Sequence, residues 1–367
     1  MKHLFVDISA HGFGHFAQTA PVINALLDRQ PLRLTIRSGL GADHLACRIR
    51  HPFEHIHAAS DFGFVMHDAL SVDLPASAER YRTAFADWPQ RVVDEVLMLE
   101  RLQPDLVLSN VSPLPLAGAT RAGIRAAAMS SLNWADLFAY YYAHEDWAVP
   151  IHAAMHDAYA GADAFLRLTP GMPMNTLPNL KITAPVSAYA DSAPASREAV
   201  ARILNLPLDK RWLLVALGGI AHRLPVENWP EIPGVHLLVP TDWQVAARLD
   251  ITAYSEAVVP FLDLFSAVDV ILGKPGYGTF VEAACLGIPL IYLPRPDWPE
   301  SACLEDWLHQ NARTIAIAPT AAMHGTFGDA LDALLTSAAP ARVVPHGVAE
   351  AASLLAGLLD DAATMAA

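Results

Sequence analysis

The stretch VDVILGKPGYGTFVEAACLGIPLIYL at 268–293 constrains this chain more than any other. A β-branched apolar run stops at glycines and a short run of helix formers follows. Gly287-Ile288-Pro289 ends it just before a second apolar run, which predicts strand, turn, helix and strand. Units of this kind build parallel α/β sheets. Gly276 and Gly278 let the backbone approach a ligand, and the helix opening near Thr279 offers unpaired N–H groups at a positive dipole end, which suits a phosphate or diphosphate. Glu282 lies about one turn further on the same side, where its two carboxylate oxygens suit the hydroxyls of a ribose. Thr279 and Glu282 also satisfy capping-box spacing, in which each side chain bonds the other's backbone N–H, so spacing alone leaves a structural role open.

With 367 residues, 53% of them apolar, the chain exceeds one ordinary core and can fill two. Lys2 to Ile8 reads as a first strand, a glycine turn and a helix to about Leu27 follow, and Leu32 to Ile36 gives a second strand. Asp105 to Ser109, Ala117 to Ala122 and Arg125 to Met129 continue as strand, helix and strand, the alternation of a doubly wound sheet. The proline-rich segment Thr169 to Ser192 carries the domain connection. Beyond it, Arg211 to Gly219 repeats the strand-to-glycine design and Val235 to Val239 adds a strand. The expectation is an α/β chain of two Rossmann-like doubly wound domains facing a central cleft. They occupy 1–186 and 187–345, and an alanine- and leucine-rich helix follows in 346–367.

Several classes are disfavoured. No apolar stretch reaches the ~18 residues that span a bilayer, and Asp7 interrupts the one N-terminal run resembling a signal peptide, so a cytoplasmic protein without a transmembrane segment is expected. Cys47, Cys285 and Cys303 are odd in number and lack Cys-x-x-Cys spacing, which argues against a disulfide framework and a zinc site. A net charge of −14 opposes attraction to nucleic acid. One competing class survives: Gly12 to Ala17 matches the loose dinucleotide fingerprint Gly-x-Gly-x-x-Ala. The second strand ends in Ile36-Arg37-Ser38 without the usual acidic residue, so Arg37 would have to meet a 2′-phosphate, as in an NADP-dependent oxidoreductase.

The 268–293 segment resembles the donor-binding stretch of GT-B glycosyltransferases, in particular the C-terminal domain shared by the bacterial lipid-linked muramyl N-acetylglucosaminyltransferase and the plant galactolipid synthases. A wider likeness runs through His11 to His15, Asp68 to Asp73, Pro104 to Ser109 and Gly273 to Glu282. These are similar to the N-terminal, glycosyltransferase-like half of plant L-arabinokinases, whose sugar-kinase half has no counterpart here. The resemblance implies a nucleotide-sugar donor, UDP by family, as substrate rather than resident cofactor, and a small-molecule or lipid-linked acceptor held by the first domain. It implies that Glu282 holds the ribose, that Gly218 and Gly219 approach the phosphates, that the amide of Leu262 reads the base edge, and that the final helix crosses back to the first domain. Two departures stand out. Pro296 to Ser301 replaces the Asp-Gln or Gln-Gln pair that holds sugar hydroxyls in the relatives, leaving that work to Asp297 or Glu300. Asn110 stands where the arabinokinase-like pattern has aspartate.

An inverting transfer needs a base for the acceptor hydroxyl, and His15 is the expected one, a helix-capping histidine being the alternative. Lys274 and Arg295 are placed to add positive charge, with solvated surface roles as the alternative. Gly14 and Tyr277, from the two turns, complete the donor side. Asp68, Asp73 and Asp136 are acid candidates on the acceptor side, each also able to cap a turn. Trp134 and the aromatic residues Tyr140, Tyr141, Tyr142 and Trp147 offer faces for a sugar ring. The absence of an Asp-x-Asp triplet favours transfer without a metal. Binding of a nucleotide-sugar without transfer, and its hydrolysis or epimerisation, remain as alternatives.

Overall fold

The computed structural model describes residues 1–190, 195–220, 222–245 and 248–365. The first sheet is built from β1 (His3–Ile8), β2 (Arg33–Ser38), β3 (Glu54–His57), β4 (Leu106–Asn110), β5 (Ala126–Ser130), β6 (Ala164–Leu168) and β7 (Leu180–Thr183). All of these strands are parallel, in the order β3-β2-β1-β4-β5-β6-β7. The second contains β8 (Arg211–Ala216), β9 (Val235–Pro240), β10 (Ile251–Tyr254), β11 (Val270–Gly273), β12 (Leu290–Tyr292) and β13 (Thr314–Ala316). Its parallel order is β10-β9-β8-β11-β12-β13. Each sheet grows outward from its first strand in both directions. The order therefore reverses at β1/β4 and at β8/β11, and a crevice opens at the C-terminal ends of those pairs.

Helices cover both faces, so the central strands are buried on both sides and mostly apolar instead of alternating. In β1, Leu4, Val6 and Ile8 join one core cluster and Phe5 the cluster on the opposite face. In β8, Trp212 and Leu214 point one way and Leu213 and Val215 the other. Edge strand β3 is half-exposed and reads Glu-His-Ile-His, which is why no apolar run announces it. The helix Gly347–Met365 lies along the helix Gly14–Arg29 of the first domain. It buries Ala351, Leu355 and Leu359 completely, each leucine contributing about 2 kcal/mol relative to exposure. Arg29 Nη1 donates to Ser353 Oγ at 2.6 Å, and Lys2 Nζ to the Leu359 carbonyl at 2.8 Å. Among the described residues no helix is long and apolar enough to cross a membrane.

Candidate functional site

The two crevices face one another across a cavity of about 510 Å³ whose walls come from both domains. On the second-domain side, β11 ends at Gly273 and the chain turns through Lys274, Pro275 and Gly276 into the helix Tyr277–Leu286. Gly276 is the N-cap and no side chain caps this helix. Thr279 and Glu282 therefore lie inside the helix instead of forming a capping box, and the first-turn N–H groups are left for a ligand. Gly218 has φ +84, a left-handed conformation that glycine adopts freely, and brings the backbone under Lys274. A Cβ on Gly278 would stand 3.1 Å from Ala17 Cβ, and one on Gly219 would meet the Phe13 ring at 2.9 Å, so both glycines let the domains close upon each other.

Lys274 lines the cavity and makes no hydrogen bond or ion pair among the described residues. Burial, reinforced by the nearby Arg295, lowers its ammonium to about 8. Glu282 is 3% exposed, and burial raises its carboxyl group, opposed by Arg48. Arg48 Nη1 reaches it from the first domain at 3.0 Å. Tyr277 also lines the cavity, and its hydroxyl ties the domain connection down by donating to the Thr169 carbonyl and accepting from Val186 N–H.

His15 stands across the cavity near the start of the Gly14–Arg29 helix, which Phe13 caps without a side-chain bond. Its Nδ1 lies 2.8 Å from Asn110 Oδ1 at the end of β4. The Asn110 amide nitrogen donates to Thr19 Oγ1 at 2.9 Å and Gln18 Oε1 at 3.1 Å, so its oxygen faces the ring. That assignment places the proton on Nδ1 and leaves the Nε2 lone pair free. Burial holds the imidazole down to about 4, so it is neutral at ordinary pH. The hydrogen-bond chain continues from Gln18 Nε2 to Ser131 Oγ at 2.7 Å and from Ser131 Oγ to Glu300 Oε1 at 2.5 Å. Trp298 Nε1 holds the other Glu300 oxygen at 3.1 Å. Glu300 is thus in the cavity wall with both oxygens engaged, whereas Asp297 is exposed and its carbonyl accepts from the Tyr141 hydroxyl.

Other expected residues lie elsewhere. Arg37 is 5% exposed and saturated by carboxylates, with Asp7 at 2.5 Å and Glu95 at 2.7 Å. It has no free face for a 2′-phosphate, which corrects the NADP expectation. Trp134 is 1% exposed, packs edge-on against His11 and His15, and donates Nε1 to Asp61 at 2.6 Å, so it lies beneath the cavity wall without an open face. Asp68 accepts from Leu70 N–H, Ser71 N–H and Ser71 Oγ as a turn cap. Asp136 sits in the first turn of the helix Trp134–Tyr142, which Asn133 caps. Leu262 lies just outside the cavity lining at the start of the helix Phe261–Ala267, and its carbonyl accepts from Tyr189. Arg48, Gln18 and Ser131 had no sequence signal. Asn110 had one, because it ends β4 at the switch point beside β1.

Comparison with solved structures matches this arrangement over nearly the whole chain. A crystal structure titled as UGT89C1 of Arabidopsis thaliana superposes with a TM-score of 0.64 at 15% identity, covering 97% of this chain and 99% of that one. A UDP-glucosyltransferase from Polygonum tinctorium gives 0.60 at 14% identity over 98% of each chain, and the calicheamicin glycosyltransferase CalG4 gives 0.57 at 14% over 100% and 97%. The fold is GT-B. Among curated proteins, L-arabinokinase of Arabidopsis thaliana is 26% identical over 321 residues, which cover 84% of this GT-B chain. The chain spans only 30% of that relative's length. No family model matches.

Proposed function

We propose that the chain transfers a glycosyl group, with inversion, from a nucleotide-diphosphate sugar, UDP by resemblance, to an acceptor hydroxyl. The observation that carries this reading is the half-buried ammonium of Lys274, without a hydrogen bond or ion pair among the described residues, beside an uncapped helix N-terminus and the left-handed turn at Gly218. A partly desolvated cation without a direct partner is costly, and a diphosphate is the group that a glycine turn, helix amides and a lysine receive together. The same charges oppose the negative charge that grows on the leaving diphosphate, so this reading needs no divalent cation. Glu282 serves the ribose, and the free Nε2 of His15 receives the acceptor proton. The structural neighbours include a UDP-glucosyltransferase and the calicheamicin glycosyltransferase, which supports this reading. The protein as purified is incubated with UDP, GDP and dTDP sugars, alone and with cell extract as acceptor source, following melting temperature and free nucleotide. Stabilisation with nucleotide release only when extract is present supports transfer. Release without extract points to hydrolysis, and the absence of stabilisation by any nucleotide sinks the proposal.

A second reading, binding without turnover, is favoured by one feature. Asn110 gives His15 an amide where a carboxylate would stabilise the imidazolium. Stabilisation without release under all these conditions would support it.

A further inference from the structure

We infer that the sugar end of the cavity receives a carboxylate-bearing sugar, held by Arg295. The inference rests on the nucleotide-sugar reading above and deepens it. Strands β8, β11 and β12 are neighbours, with Gly273 level with both Ala216 and Tyr292. Gly218, Lys274 and Arg295 follow these three strands in turn. At a strand spacing of about 4.8 Å, Arg295 therefore stands roughly 10 Å from the glycine turn. Trp243 and Tyr254, which also line the cavity, lie toward the opposite side, in the turn Thr241–Trp243 that follows β9 and at the end of β10. A ligand with its base on that side and its diphosphate over the turn directs its sugar toward Arg295.

Arg295 lines this end at only 3% exposure. It forms no ion pair among the described residues, its Nε has no hydrogen-bond partner, and Nη2 meets only Met66 Sδ at 3.5 Å. Its guanidinium carbon lies 4.0 Å from the centre of the Trp298 ring, and His11 stacks on the same tryptophan and is likewise unpartnered at Nε2 among the described residues. Glu300, Asp68 and Asp297 act on this buried cation only without direct contact, and neutral sugar hydroxyls would leave it with no direct ion pair. Glu300 is already committed to Ser131 and Trp298, so a carboxylate is wanted from the ligand. Glu300 also lies close enough to act on Arg295 electrostatically, which disfavours a doubly charged phosphate relative to a single carboxylate.

Isothermal titration of the full chain tests this with UDP, UDP-glucose, UDP-glucuronate and UDP-galacturonate. A second arm, at saturating UDP, uses free glucuronate against glucose. At least one acidic probe is expected to bind roughly tenfold or more tighter than its neutral counterpart, about 1.4 kcal/mol. Preference in the first arm assigns the carboxylate to the donor sugar, and preference in the second arm alone assigns it to the acceptor. Arg295→Met should erase the preference for the acidic probe over its neutral counterpart, and Arg295→Lys, which keeps the charge, should retain part of it. If UDP binds and neither arm prefers the acid, or the preference survives Arg295→Met, the inference is overturned while the nucleotide reading stands. If UDP itself fails to bind, both fall. The wild-type comparison decides the matter even if a variant does not fold.

Discussion

His15 and Asn110 form a neutral pair, and the amide fixes the tautomer without stabilising the charged ring. With its pKa near 4, this imidazole is a weak base at neutral pH. Asn110→Asp would place a carboxylate on Nδ1 and should raise the His15 pKa by about 1–3 units, read from the ring protons by NMR titration. An unchanged pKa would mean that the new side chain turns away. His15→Ala should lower turnover by roughly a hundredfold with donor affinity kept, and equal loss of affinity would make His15 a binding group instead. Lys274 gives a pH dependence of definite sign. Its folded pKa, about 8, lies below its ordinary value of 10.5, so the ammonium is charged and costly below about 8. As pH climbs from 8 toward 10.5, the unfolded chain holds more protons and the ligand-free fold gains stability, while nucleotide affinity falls because the cation is lost. Lys274→Met should flatten both limbs, monitored by thermal unfolding and UDP titration between pH 7 and 10.

At the scale of elements, the docking of the last helix depends on one residue without a side chain. A Cβ on Gly347 would stand 1.9 Å from the Ala184 carbonyl oxygen and 2.8 Å from that of Pro185, so backbone has to move. Gly347→Ala should cost about 1–3 kcal/mol, seen as a lower urea midpoint, with earlier proteolysis of the terminal helix. Wild-type stability would show that the connection at 184–185 yields freely. What was legible in the sequence follows the same division. β1, β8 and β11 are buried on both faces, so β8 and β11 read as apolar runs leading into glycine and β1, broken only by Asp7, is followed closely by Gly12, and the switch-point turns could be placed from the chain alone. β3 is a polar edge and carries no such run. Capping spacing at Thr279 and Glu282 was ambiguous because the true N-cap, Gly276, has no side chain to announce it. The partners of the site residues were hidden for a different reason. Arg48 and Glu282 are 234 positions apart, and Ser131 and Glu300 are 169 apart, so both contacts exist only after the domains meet.

Over the whole molecule, two buried carboxylates are held from across the cleft, Glu282 by Arg48 and Glu300 by Ser131. The first contact places the first domain's arginine on the group that the proposed ribose would use. Arg48 is 16% exposed and Glu282 3%, so the pair is shielded enough to matter yet close enough to solvent for the arginine to swing out. A double-mutant cycle with Arg48→Ala and Glu282→Ala should give a coupling of about 1–3 kcal/mol in chemical unfolding of the ligand-free chain, provided the transition is a single cooperative step. Saturating UDP should change the cycle. Arg48 holds Oε1, one of the two oxygens that the ribose hydroxyls would use, so in binding free energies Glu282→Ala should cost about 1–3 kcal/mol in the wild-type background, and the Arg48–Glu282 coupling should shrink when UDP is bound. A coupling that stays constant or grows with UDP would mean that Arg48 and Glu282 act on the nucleotide together, and the contact would then be part of the bound state instead of a bond exchanged on binding.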